Sequence, residues 1–335
     1  MIQSTLLASA ATPHTVIPFV EPRTGAPLIA QDDALVTEHD RAIVARLVDG
    51  IPRFVAPGDD YAESFGWQWH RWHSTLSDRR NERAAANKHG LILRRTRFDT
   101  FELAGKTILE CGMGGGDDTE VLLDLPFAEV HAFDLSRAVE RARRYLSSER
   151  LVLSQASIFA IPYPDQAFDF VYCHRVLQHT PDPVAALGAI ARKVKPGGVL
   201  FAHSYHQSFH FMSQYKYKLR PLTRRLPAPW LAAALDRAGP SLHAMNRALR
   251  ARGPLGRALA HNFLPFEHLS SFGNHDEREL IEVEKLLTFD ALTPRYDRPL
   301  TWPTMRRTIE GAGFEIRFYS AEPTNPLYCT AVRLG

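Results

Sequence analysis

At roughly 150 residues per domain, the chain of 335 residues suggests about two structural units, one of them large enough for a substantial core. Hydrophobic residues at 45% and charged residues at 23% exclude a disordered chain, and the net charge of +3 implies no partner by itself. Cys111, Cys173 and Cys329 lie far apart without a CxxC pair, which excludes a disulfide framework and a thiolate zinc site; no metal is expected. Met1 to Ala10 carries an apolar patch with no Lys or Arg before it, and no apolar run reaches the ~18 residues of a membrane span. A cytoplasmic, reducing setting is therefore expected.

Residues 1–57 read as a small β-rich module. Strands are predicted over Val16–Val20, Ala42–Val48 and Ile51–Val55, with turns at Arg23–Pro27 and Asp49–Gly50. Ala56–Asp60 punctuates its end, and residues 58–105 follow as connecting helices bearing Trp67, Trp69 and Trp72. Those tryptophans either anchor the module to the core or form a lid, with aromatic faces open to a cation or a sugar ring.

From Lys106 strand and helix signals alternate, which predicts a doubly wound α/β fold with a parallel sheet. Thr107–Glu110 is the first strand. It runs into Cys111-Gly112-Met113-Gly114-Gly115-Gly116 and then a helix over Glu120–Asp124. A glycine turn in this position lets backbone N–H groups approach a nucleotide-like ligand. The next strand, Glu129–Phe133, ends at Asp134, placed to bond both hydroxyls of a ribose. Charge chooses between ligands. Glu110, Asp117 and Asp118 surround the helix start, where a pyrophosphate would meet repulsion, and a GxGxxG count from Gly112 finds Asp117 instead of glycine. A phosphate-free cation such as S-adenosyl-L-methionine (SAM) suits this loop. Asp117 and Asp118 also have a plainer reading, as caps of the helix.

Glu110–Gly116 resembles the E/DxGxGxG motif of class I SAM-dependent methyltransferases. Asp134 matches that family's ribose acid, Ile161–Cys173 the approach to its fourth strand, and Lys195–Leu200 the turn into its fifth. The resemblance spans about Lys106 to Tyr205. It implies a Rossmann-like core over residues 106–206, with Glu110, Gly112, Gly114, Gly116, Asp134, Ser157, Ile158 and Cys173 around the cofactor. Ser157 stands where the family usually carries an acid for the adenine amino group, so adenine selection shifts toward Ile158. Tyr61–Trp69 resembles a segment of a bacterial subgroup whose preceding module often carries zinc cysteines. Here Pro22–Leu28 keeps the turn and none of the cysteines.

Asp182 and Pro183 start a helix whose buried face carries Val184, Leu187, Ala191 and Val194, stopped by Lys195–Gly198. Methyl transfer needs alignment, water exclusion and, for a hydroxyl nucleophile, a base. The base candidates are His179 first, because the loop after strand four borders the sulfonium in this family, then His174 and His203. Trp67, Trp69 and His206 are assigned to the lid and acceptor side.

Residues 207–300 form a helical insertion expected to build the acceptor site. Gln207–Ala260 holds ten Lys/Arg and one acid, whereas Ser271–Asp290 holds six acids and two bases. The basic block is either a solvated helical face or a surface for an anionic acceptor or an anionic membrane; no nucleic-acid motif accompanies it. Residues 301–335 close the core with a helix over Trp302–Gly313 and strands over Phe314–Ser320 and Leu327–Arg333. The function expected is methyl transfer to an O or N nucleophile of a small-molecule or glycan acceptor. A non-catalytic protein that kept the fold and an NAD(P)-dependent oxidoreductase are the alternatives. The oligomeric state is not readable from the sequence.

Overall fold

The computed structural model describes residues 17–55, 61–72, 82–269, 276–324 and 326–335. One sheet of eleven strands organises them: β1 (Leu28–Gln31), β2 (Ala34–Thr37), β3 (Ile43–Val48), β4 (Ile51–Arg53), β5 (Thr107–Cys111), β6 (Glu129–Asp134), β7 (Leu151–Gln155), β8 (Phe168–Cys173), β9 (Val194–Ser204), β10 (Phe314–Ser320) and β11 (Leu327–Arg333). The order is β1-β2-β3-β4-β7-β6-β5-β8-β9-β11-β10. From β7 to β9 every pairing is parallel, while β11 runs antiparallel to both β9 and β10. That is the doubly wound arrangement predicted from Lys106 onward. The terminal pair falls on the predicted residues because Gly313, at φ +83°, turns the chain out of its helix and into β10.

The N-terminal strands differ from expectation first in that they extend the main sheet. β4 lies parallel to β7 through Arg53 opposite Gln155, and the Arg53 guanidinium donates to the Gln155 side chain at 3.1 Å. The predicted strand over Val16–Val20 reduces to a single bridge from Val20 to Pro27, and Val16 lies outside the described residues. β1 and β2, missed by the sequence reading, form a hairpin around Asp32, whose φ of +52° supplies the left-handed turn residue usually signalled by glycine.

Helices cover both faces. One layer packs α5 (Pro183–Ala191) and α11 (Trp302–Gly311) against Leu109, Val171, Leu200 and Leu327. The other sets Ile92 of α2 (Glu82–Thr96) and Leu122 of α3 (Asp117–Asp124) against Ile108, Phe170 and Phe201. Asp182 caps α5 as predicted, accepting from Val184 and Ala185 N–H. Two of the four residues assigned to the buried face of α5 are misplaced, however. Val184 is exposed, and Val194 already belongs to β9, since the helix stops at Ala191.

The insertion contributes α6 (Phe209–Met212), α7 (Tyr215–Thr223), α8 (Ala228–Arg250), α9 (Pro254–Phe263) and α10 (Glu277–Leu292). Its own core of Tyr215, Leu231, Leu235, Leu286 and Phe289 also receives Trp72, at the end of α1 (Glu63–Arg71). Burying such rings is worth on the order of 2 kcal/mol each, which ties the lid segment to the insertion.

Candidate active site

At the carboxyl ends of β5, β6, β7 and β8 lies a cavity of about 450 Å³, the position where doubly wound sheets hold ligands. Its cofactor side begins with the glycine turn. Gly112 has φ +80°, and a Cβ there would collide with the Val176 side chain. Gly114, at φ +54°, leaves its missing Cβ 3.1 Å from the Trp69 indole. Larger residues would close the turn against the two walls that shape the cavity.

Asp134 accepts from Gly114 N–H at 2.8 Å through Oδ2 and from Ser136 N–H and Oγ through Oδ1. Oδ1 is therefore engaged by two protein donors, and the remaining acceptor capacity lies mainly on Oδ2. Full bidentate bonding of a ribose by this group, as the sequence reading had it, would displace the bonds to Ser136.

The acids at the start of α3 are not caps. Gly116 occupies the cap position with φ +90°, and no side chain caps the helix there. Asp118 accepts from Tyr172 Oη at 3.0 Å and from His174 Nδ1 at 2.7 Å; burial opposes its charge, but His174 and Arg175 hold its carboxyl well below the ordinary range. Asp117 Oδ2 is buried on the cavity wall with no hydrogen-bond partner among the described residues. Next to these, Glu110 accepts from Thr119 Oγ1 at 2.6 Å and is pushed up to about 8, first by burial and then by the Asp118 charge. An orphaned carboxylate oxygen beside a carboxyl forced to keep its proton calls for a ligand that brings donors or positive charge. SAM supplies both, whereas a pyrophosphate would bring neither. Phe133, Leu135, Ala156 and Ile158 make an apolar slot at the ends of β6 and β7, suited to an adenine ring.

Besides Trp67, four residues assigned to the cofactor or the acceptor lie elsewhere. Cys173 is fully buried in the core layer that faces α5, because side chains alternate along β8 and its neighbour Tyr172 takes the face toward Asp118. Ser157 does not line the cavity; its hydroxyl accepts from Phe159 N–H at 3.3 Å within a turn. Gly116 lies behind the loop, where a Cβ would press on Leu146 at 2.8 Å, so its smallness serves packing against α4 (Ala138–Tyr145). His206 donates through Nδ1 to the Glu322 carbonyl oxygen, 3.0 Å away, and does not line the cavity. Because a carbonyl only accepts, that nitrogen carries the proton.

The tryptophans divide. Trp69 forms cavity wall beside Gly114, with the Arg141 guanidinium 5.6 Å from its ring centre. Trp67 instead stacks on Phe289 at 5.1 Å and anchors α1 to the insertion. Spacing along one helix separates the two: residues two apart point about 200° apart.

All three base candidates line the cavity, and their partners assign their tautomers. Arg95 Nη1 can only donate, so His174 Nε2 accepts at 2.9 Å and Nδ1–H is given to Asp118. Both nitrogens are used, and burial followed by the Arg175 charge lowers this ring to about 4. His203 Nδ1 accepts from Arg175 N–H at 3.3 Å, leaving a proton on Nε2; burial, then His174 and Arg95, hold it well below its ordinary value. His174 and His203 thus lack a lone pair for a substrate proton. His179 is different. Its Nδ1 donates to the Tyr296 carbonyl at 3.2 Å, which leaves the lone pair on Nε2, and burial lowers its pKa so that it is neutral at pH 7. Phe65 and Tyr205 rings flank it at 5.0 and 5.6 Å.

The sequence reading missed the far wall. Tyr61, Arg95, Arg175 and Tyr205 face the histidines, while Leu269, Val283, Leu286 and Leu287 give an apolar side. Arg175 was legible only in part: it follows His174 in the loop already chosen, but its φ of +62° needs coordinates to see. Also unforeseen is the use of the basic block. Lys216 Nζ and Arg220 Nη1 lie 3.3 and 2.5 Å from Asp297 Oδ2, all three side chains buried. They pin the loop whose Tyr296 carbonyl orients His179, so these two cations are structural and neither solvated nor free for an anionic acceptor.

An acid-lined cavity at the carboxyl ends of a sheet of this order is the arrangement of class I SAM-dependent methyltransferase domains, and its lining fits SAM as cofactor. Residues 109–202 match the methyltransferase domain family. The ubiquinone biosynthesis O-methyltransferase of Thiobacillus denitrificans is 40% identical over 104 residues, covering 30% of this chain and 44% of that protein. Its counterpart from Azoarcus sp. is 38% identical over 112 residues, or 32% and 47% of the two chains. The match spans less than half the length of each relative. Among solved structures, an S-adenosylmethionine-dependent methyltransferase from Mesorhizobium loti superimposes with a TM-score of 0.43 at 15% identity, covering 71% of this chain and 95% of that one. No helix of the described residues is long and apolar enough to cross a membrane.

Proposed function

We propose that the protein methylates a hydroxyl group of a small, largely apolar acceptor, with His179 as general base. Bound SAM supplies the methyl group on a sulfonium, the electrophile of an in-line displacement. Gly112, Gly114 and the apolar slot at Leu135, Ala156 and Ile158 would hold the nucleoside, and Trp69 would exclude water. The observation that carries the reading is the His179–Tyr296 hydrogen bond, which leaves a neutral imidazole with its Nε2 lone pair on the cavity wall. A hydroxyl needs such a base, and an amine methylated as its free base does not. The leucines at 269, 286 and 287 favour a ring or chain of low polarity over a glycan. That the matched relatives bear the name O-methyltransferase supports the choice of oxygen.

The test is His179→Ala against wild type, with methyl-labelled SAM and a panel of phenols, catechols, aliphatic alcohols and amines. Labelled product is expected from a hydroxyl acceptor, with turnover in the variant down about 100-fold or more and SAM affinity unchanged. Equal loss of turnover and SAM affinity, or no loss of either, would remove His179 from this role.

A further inference from the structure

Three short segments of the insertion turn apolar side chains to solvent where a folded protein normally hides them. In α9, Leu255, Leu259 and Phe263 recur every four residues, and they are 73%, 43% and 67% exposed, while Gly256 and Ala260 take the buried face. In α7, Leu222 is 66% exposed near the end of the helix, while Tyr215, Lys216 and Arg220 are buried. Phe209 opens α6 at 90% exposure. The segments are joined. Lys218 Nζ donates to the Asn262 carbonyl at 2.8 Å and sits 4.2 Å from the centre of the Phe263 ring, and His261 Nε2 donates to the His210 carbonyl at 3.0 Å while the two imidazoles stack at 4.3 Å. Leu222 of α7, the apolar stripe of α9 and Phe209 are therefore carried on segments packed against one another.

Among the described residues, the charged side chains of α6, α7 and α9 themselves have a single sign. Lys218, Arg224, Arg225, Arg252 and Arg257 are all exposed along these segments. The one acid between Gln207 and Ala260, Asp236, lies on α8 and is paired with Lys285 at 2.7 Å and Arg71 at 3.0 Å. Exposed leucines and phenylalanines interleaved with uncompensated cations are the composition of helices that lie in the interface of an anionic bilayer, apolar side chains inserted and Lys/Arg at the phosphates. The position also suits chemistry. The buried side of α7 carries Lys216, whose Nζ is 4.3 Å from the centre of the Tyr205 ring on the cavity wall.

We infer that the outer face of α6, α7 and α9 docks the protein on an anionic lipid bilayer. The inference stands on this surface alone and does not depend on which acceptor is methylated. The full chain is to be co-sedimented with vesicles of phosphatidylcholine alone and of phosphatidylcholine with about 30% phosphatidylglycerol. Binding to the anionic vesicles is expected to exceed binding to the neutral ones by roughly tenfold or more, and to fall as salt rises. A double variant, Leu255→Ser with Phe263→Ser, should lose most of it while its circular dichroism and SAM affinity stay those of wild type. Equal sedimentation with both vesicle types overturns the inference, as does undiminished binding of a folded double variant. So does a wild-type dimer in solution that the double variant abolishes, because the surface would then be the contact between two copies.

Discussion

Replacing Glu110 by glutamine separates the stability of the ligand-free protein from its affinity for a cation. The Glu110 carboxyl is fully buried at the end of β5 and held at about 8 against an ordinary 4.5, by burial first and the Asp118 charge second. An acid raised on folding binds more protons in the native state, so stability falls as pH rises from about 4.5 to about 8 and is constant above that. At pH 7 folding takes up nearly one proton at this group, a cost of about 3 kcal/mol. Glutamine keeps an acceptor for Thr119 Oγ1 and removes the ionisation. The ligand-free variant should therefore be more stable than wild type at pH 7 by up to about 3 kcal/mol, a gain in Tm on the order of 4 °C for a chain of this length, vanishing toward pH 4.5. Scanning calorimetry across that range measures it. A cation in the cavity acts in the opposite direction and draws the proton off. SAM titrated into wild type near neutral pH should release a proton, seen as a dependence of the binding heat on buffer ionisation enthalpy, and the variant should bind SAM about tenfold or more weakly without that release. A Tm difference that is the same at low and high pH, or a variant less stable than wild type at pH 7, would refute the protonated carboxyl.

Three further outcomes follow from the same geometry. Asp297→Ala leaves Lys216 and Arg220 buried without their counter-ion and should cost about 3–5 kcal/mol in a denaturant titration, with kcat falling further as the Tyr296 carbonyl loosens its hold on His179. Because burial lowers His179, turnover should be flat above its ordinary value of 6.5 and decline only at lower pH, where Nε2 takes up a proton; a pH–rate profile that instead rises through neutrality would contradict the assignment. Trp69→Ala should raise the Kd for SAM several-fold with little change in Tm, in contrast to Trp67→Ala, whose ring is packed on Phe289 and whose loss should cost about 3 kcal/mol in stability.

What could be read without coordinates was whatever the chain encodes within a few residues. A run of glycines after a hydrophobic strand marks positive φ at Gly112 and Gly114, an acid after the next strand marks Asp134, and Asp182-Pro183 marks a helix start. The face a side chain takes and its distant partner are not local properties. Strand alternation turned Cys173 into the core while Tyr172 reached Asp118, and helical spacing gave Trp69 to the cavity and Trp67 to the insertion. Ser157 and His206 were placed by motif position and were claimed by a turn and by the Glu322 carbonyl. The three histidines were equivalent as letters. Their chemistry was decided by Arg95, the Arg175 amide and the Tyr296 carbonyl, groups 79, 28 and 117 residues away in the chain, because a proton's position on imidazole is set by whichever donor or acceptor folding brings to its other nitrogen.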